Sequence, residues 1–162
     1  IVYGGASRKQ KKIFQVGNKI FLNWKSKGEN RPGYFKIELI KPIAPFFFDD
    51  RKKSTTILSA SSILKILLPE RQLNEKIYYS FENLLAGLNS KDWIQLYILW
   101  ELSLIRDLGF GDNFPYENSK INNNNQIKKA LNFNRNLLME NFIIPNKLKF
   151  PLFRNILEKY FN

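Results

Sequence analysis

The spacing of apolar residues changes once along this chain, and that single change limits what it can fold into. Between positions 19 and 41 the period is two residues, and beyond about Ser54 it is helical. In the first alternating run Ile20, Leu22 and Trp24 point one way, with Lys19, Phe21, Asn23 and Lys25 opposite. A polar loop with Gly28, Pro32 and Gly33 follows. A second run then sets Phe35, Ile37 and Leu39 against Lys36, Glu38 and Ile40. Two such runs around a Gly/Pro/Asn loop predict an antiparallel hairpin, entered through a turn at Val16-Gly17-Asn18. Two or three strands cannot bury a face alone; they need a second layer or closure into a barrel. The order of periods makes the chain α+β, with a small sheet over 1–44 and a helical domain over 45–162.

Pro42 and Pro45 mark the change, and Phe46-Phe47-Phe48 after them is expected to pack between sheet and helices. A first helix is expected from a cap at Ser54 or Thr55 to Leu68, stopped by Pro69. A second covers Glu75 to Leu88 behind Asn74. The third runs from Ser90 to Leu108, with Asp92 in its first turn and Gly109 as its stop. Its stripe of Trp93, Tyr97, Trp100, Leu104 and Leu108 is flanked by further apolar residues, so it should be central. The polar, Asn-rich stretch 112–126 reads as a linker. Helices from Gln126 to Asn141 and Leu152 to Phe161 close the chain around Pro145 and Pro151.

Charge then bears on function. The 162 residues carry 26 Lys+Arg against 14 Asp+Glu, a formal +12, and no Cys or His. The missing Cys and His exclude disulfides, a Cys/His zinc site and any Ser-His or Cys-His catalysis within these residues. Nineteen of the basic residues are lysine, beside abundant Asn, Ile and Phe, as in sequences whose codons drift toward A and T; total charge is therefore a weak signal. Its distribution is a better one: net +8 over 1–41, −1 over 42–113 and +5 over 114–162. Uniform drift does not segregate charge in this way. No apolar run is long and clean enough to span a bilayer, and the first residues are not a signal peptide, so a cytoplasmic location is expected. The strand-like start Ile1-Val2-Tyr3, without turn or cap, suggests a piece of a longer protein.

The densest basic segment holds Arg8, Lys9, Lys11 and Lys12 beside Gly4-Gly5, with Lys19, Lys25 and Lys27 further on. Such a cluster can neutralise backbone phosphates, and Phe21, on the polar face of its strand, can stack a base. Trp24 shares a face with Ile20 and Leu22 and is expected in the core. The residues alone equally allow a solvated charged loop. Glu101, amid the apolar third helix, could be a catalytic carboxylate only with a second carboxyl converging on it. A structural ion pair where the helix meets the sheet is the expectation. The glycine pairs lack a phosphate-loop pattern.

In order, the chain carries a basic Gly-Gly-Ala-Ser-Arg-Lys turn, a Gly-Asn turn, a strand ending in Trp24 and Leu67-Leu68-Pro69-Glu70-Arg71. Then come Leu96-Tyr97-Ile98-Leu99-Trp100-Glu101-Leu102, Asp107-Leu108-Gly109-Phe110-Gly111 and Pro151-Leu152-Phe153-Arg154. Across almost its whole length this resembles the RecO family, especially its alphaproteobacterial members. The resemblance implies an N-terminal OB-fold barrel, of which residues 1–44 would be the last strands, and a helical domain. It implies a recombination mediator rather than an enzyme, without cofactor. Such a mediator binds single- and double-stranded DNA, anneals strands, and with a RecR-like partner loads RecA on DNA covered by single-strand-binding protein. It places the DNA contacts at Arg8, Lys9, Lys11 and Lys12. Three departures stand out. The cysteines that bind zinc in some members are missing, so no metal is expected. Leu99 stands where many members carry an arginine that would help hold the acidic tail of single-strand-binding protein. The helical domain is reduced around 112–126. An RNA- or ribosome-associated OB module is the alternative reading.

Overall fold

The computed structural model describes residues 12–26, 28, 33–111, 114–115, 120–121 and 123–162. The described residues form two antiparallel strands, β1 (Lys19–Lys25) and β2 (Tyr34–Lys41), then five α-helices: α1 (Arg51–Leu67), α2 (Glu75–Gly87), α3 (Trp93–Asp107), α4 (Asn124–Leu138) and α5 (Leu152–Lys159). The chain divides into two compact units, Ile1–Ser54 and Thr55–Asn162.

In the first unit the expected hairpin forms. Phe21 pairs with Glu38, Asn23 with Lys36 and Lys25 with Tyr34, while Ile20, Leu22 and Trp24 pair with Leu39, Ile37 and Phe35. The register slips by one residue between Lys19 and Ile20, which brings Lys19 opposite Lys41. The entry turn also forms, with Gly17 at φ +97°, a conformation that favours glycine. Trp24 departs from expectation, being 53% exposed. It sits on the apolar face and its ring packs on Phe35 at 4.8 Å, but a two-stranded ribbon supplies no opposing layer of its own. The indole also lies against Gly33, where a Cβ would come within 2.1 Å of it.

The aromatic run departs as well. Ala44–Phe47 is a 3₁₀ turn in which Phe47 is buried, whereas Phe46 and Phe48 stand in solvent. The helix after it begins earlier than the capping signals suggested. Asp50 is the cap: its Oδ1 accepts from the backbone N–H groups of Lys52 and Lys53, both at 3.1 Å. Ser54 instead turns its hydroxyl back onto the carbonyls of Phe47 and Asp50, 2.6 Å from each.

In the second unit α3 is central, as its all-round apolar sequence predicts, with Ile98, Leu102 and Ile105 fully enclosed and α2 and α4 packed against it. It begins at Trp93, three residues after Ser90. Its end is a Schellman motif: Gly109, at φ +92°, donates to the Arg106 carbonyl and Phe110 to that of Ile105. Asn74 precedes α2 as expected, but its side-chain amide donates to Gln72 O rather than capping the helix. Part of the expected linker is ordered into α4, because Asn123 Oδ1 accepts from Gln126 N at 2.9 Å and starts the helix at Asn124. After α4 the chain widens into a π-helical turn over Met139–Ile143 before reaching Pro151 and α5.

Candidate nucleic-acid interface

Of the eight residues expected to contact nucleic acid, Lys12, Lys19, Phe21 and Lys25 are described; Arg8, Lys9, Lys11 and Lys27 lie outside the described residues. Strand pairing puts cross-strand partners on the same face, so Phe21, Asn23 and Lys25 share theirs with Tyr34, Lys36 and Glu38. Phe21 is 51% exposed and Lys25 is exposed. Lys36 reaches Glu38 along its own strand at 3.1 Å, and both side chains are largely in water. The face carries two aromatics, two lysines and one carboxylate.

Tyr34 and Lys36 join the site only through the pairing register. The facing Lys19 and Lys41 also come from the register slip. Like charges set directly opposite in a sheet repel.

One carboxamide organises the base of the hairpin. Asn18 Oδ1 accepts from the N–H groups of Ile43 (2.8 Å) and Ala44 (3.0 Å), and its Nδ2 donates to Ile13 O at 3.2 Å. The exposed Lys12 is thereby tied, through the next residue, to the turn that follows β2.

In the helical unit Glu101 is the acidic residue that needs explaining, and its environment is decisive. It is completely buried, and every bond it makes lies within that unit rather than at the sheet. Arg154 grips it with both arms, Nε to Oε1 at 2.5 Å and Nη2 to Oε2 at 3.0 Å. The Tyr97 hydroxyl donates to Oε1 at 2.6 Å and Asn134 Nδ2 to Oε2 at 3.0 Å. Ser59 meets the Tyr97 hydroxyl at 2.7 Å. Arg154 continues outward to Leu131 O and Glu158, and Arg135 joins Glu158 and Asn155. The carboxylate is committed to four hydrogen bonds in a sealed core, which suits architecture and not proton transfer. Burial, then the charge of Glu101, pushes the Tyr97 hydroxyl well above its ordinary range. Burial pulls the Arg154 guanidinium down, but the carboxylates of Glu101 and Glu158 outweigh it and hold the group charged.

Leu96, half in water, and Leu99 line two adjoining depressions of the same unit. One, of about 260 Å³, is completed by Ser80, Asn83, Leu84, Trp100 and Ser103; the other, of about 340 Å³, by Asp92, Gln95 and Lys120. The buried Trp100 Nε1 has no acceptor among the described residues. Among the described residues no group of acidic side chains could hold a metal ion, and no helix is long and apolar enough to cross a membrane.

Residues 49–129, half of the chain, match the family model described as Recombination protein O C terminal. This chain belongs to the RecO family. It is 32% identical to the DNA repair protein RecO of Jannaschia sp. (strain CCS1) over 111 residues, which are 68% of this chain and 46% of that relative. It is 38% identical to the DNA repair protein RecO of a Wolbachia from Drosophila simulans over 99 residues, 60% of this chain and 41% of the relative. A third relative, the DNA repair protein RecO of Rhodospirillum centenum, is 25% identical over 114 residues. The chain thus spans less than half the length of the curated relatives it matches. No solved structure matches it.

Two RecO-like motifs now have a physical meaning. The glutamate of the aromatic-Glu-Leu segment and the arginine that ends Pro151-Leu152-Phe153-Arg154 are the two halves of one buried ion pair. The glycine of Asp107-Leu108-Gly109-Phe110-Gly111 is a helix terminator. Both features belong to the architecture of the helical unit.

Proposed function

We propose that the chain is part of a recombination mediator acting in DNA repair: it binds single- and double-stranded DNA, anneals complementary strands, and helps load RecA on DNA covered by single-strand-binding protein, without catalysis and without a cofactor. It would work with a RecR-like partner in the bacterial cytoplasm, at the nucleoid. Residues 1–44 would be the last strands of an OB-fold barrel. The observation that carries the reading is the ribbon face, which exposed Phe21, paired with Glu38, shares with Lys25, Tyr34 and Lys36, and at the foot of which Lys19 faces Lys41. An exposed aromatic among cations is the surface that single strands use: cations track phosphates and rings stack bases. Arg8, Lys9, Lys11, Lys12 and Lys27 extend the same charge in sequence. Both grooves meet at Leu99, which supports an apolar contact there for the tail of single-strand-binding protein, with Lys120 as the lining cation.

Anisotropy of a labelled single strand, measured across salt concentrations with the intact protein, tests the reading. Affinity should fall steeply with salt, and replacing Arg8, Lys9, Lys11 and Lys12 by alanine should flatten the slope by about 0.7 per lost phosphate contact. An unchanged slope removes that segment from the site. Structured RNA competing better than single-stranded DNA would favour an RNA-associated module instead.

A further inference from the structure

Phe46 and Phe48 are a puzzle for folding. Phe46 is 74% exposed and Phe48 58%, although both belong to an aromatic triplet whose pattern says core. The turn that carries them is firmly held. Asn18 accepts from Ile43 and Ala44 at its start, Pro45 fixes its first residues, and Phe47 is buried at its centre. The Ser54 hydroxyl donates to the Phe47 carbonyl at its end. At about three residues per turn, neighbouring side chains lie roughly 120° apart, so an inward Phe47 turns both flanking rings outward. Two large apolar side chains are therefore displayed by a rigid support.

Their surroundings in the same unit are mostly cationic. Lys41 and Lys12 are exposed on the side of the Asn18 clamp, and Arg51 and Lys52 are exposed at the start of α1. The acidic residues nearby are Asp49, which is exposed, and Asp50, which is engaged in capping α1 and in a 3.5 Å contact with Lys53. Rings held outward among cations that outnumber the carboxylates fit a polyanion that also carries flat apolar faces.

We propose that Phe46 and Phe48 are base-stacking platforms for single-stranded nucleic acid, with Lys12, Lys41, Arg51 and Lys52 binding the phosphates on either side. This extends the binding surface from the hairpin face to the turn after β2, and it rests on the DNA-binding reading above. A protein partner of apolar chemistry is the competing occupant, and it makes a different prediction, because it needs apolar area and not a π-face.

The test measures binding of a fluorescein-labelled oligothymidine to the intact protein over a range of salt. Phe46→Ala with Phe48→Ala should weaken binding about tenfold or more at every salt concentration, leaving the salt slope unchanged, because stacking releases no counterions. Phe46→Leu with Phe48→Leu should weaken it nearly as much, whereas Phe46→Tyr with Phe48→Tyr should keep it. Lys41→Ala with Lys52→Ala should instead reduce the slope. Circular dichroism melting of the aromatic variants should match the parent, since the rings lie outside the core; a variant that melts early is replaced by the leucine pair for the comparison. Parental affinity in the alanine or leucine pair overturns the proposal while leaving the DNA-binding reading intact. A parent protein that does not bind the oligothymidine overturns both.

Discussion

Glu101 shows how much a single residue can depend on its surroundings. A carboxylate enclosed without water is costly, and here the cost is offset by a two-armed guanidinium, a hydroxyl and an amide. Removing one partner leaves the other charge buried and alone. Arg154→Met should therefore destabilise the helical unit by about 3–5 kcal/mol, read as a lowered midpoint in urea. The same network sets a pH limit. Tyr97 keeps its proton in the folded state beyond the pH, about 10, at which an unfolded tyrosine ionises. Above that pH the unfolded chain loses a proton that the folded one retains, so this contribution to stability is lost as pH rises. Denaturation midpoints at pH 9 and 11 should differ in the parent and converge in Tyr97→Phe, apart from titration elsewhere. At the groove, Leu99→Arg should tighten binding of an acidic, apolar-ended peptide several-fold, with an effect that fades at high salt.

At the scale of elements, the ends and turns matter more than the lengths. Asp50→Ala removes the acceptor for two N–H groups of α1 and should cost about 1 kcal/mol, measured by thermal melting. Gly109→Ala has open space around its Cβ, so any loss reports the φ of +92° alone, about 1–2 kcal/mol. Gly33→Ala is different in kind. Its Cβ would overlap the Trp24 indole, so the ring must leave Phe35 or the loop must shift. Indole fluorescence should change in that variant and not in Gly28→Ala, where nothing lies within 4 Å. Element positions were legible in the sequence because period and breakers act over a few residues. The start of α1 differs from the expectation because Ser54 and Thr55 are good cap residues by type, while Asp50, four residues before Ser54, takes the capping bonds.

For the molecule as a whole, charge is segregated along the chain, +8 over 1–41 beside −1 over 42–113. Binding that depends on this segregation should weaken with salt far more than the fold does, because the helical core rests on apolar burial and an enclosed ion pair. Denaturation midpoints at low and high salt should agree closely while the affinity for a single strand falls steeply.

By itself the sequence determined the hairpin, the order of helices, the central place of α3, the uneven charge and the resemblance to RecO. All of these are written in spacings of two to four residues or in contiguous motifs. Only the tertiary structure decided that Glu101 belongs to Arg154, 53 residues away, that Lys19 faces Lys41, and that Phe47 is buried while Phe46 and Phe48 stand in solvent. The reason is physical. Local patterns follow from the geometry of helix and strand, whereas a partner across the core, and the side on which a side chain meets water, depend on the path of the intervening chain.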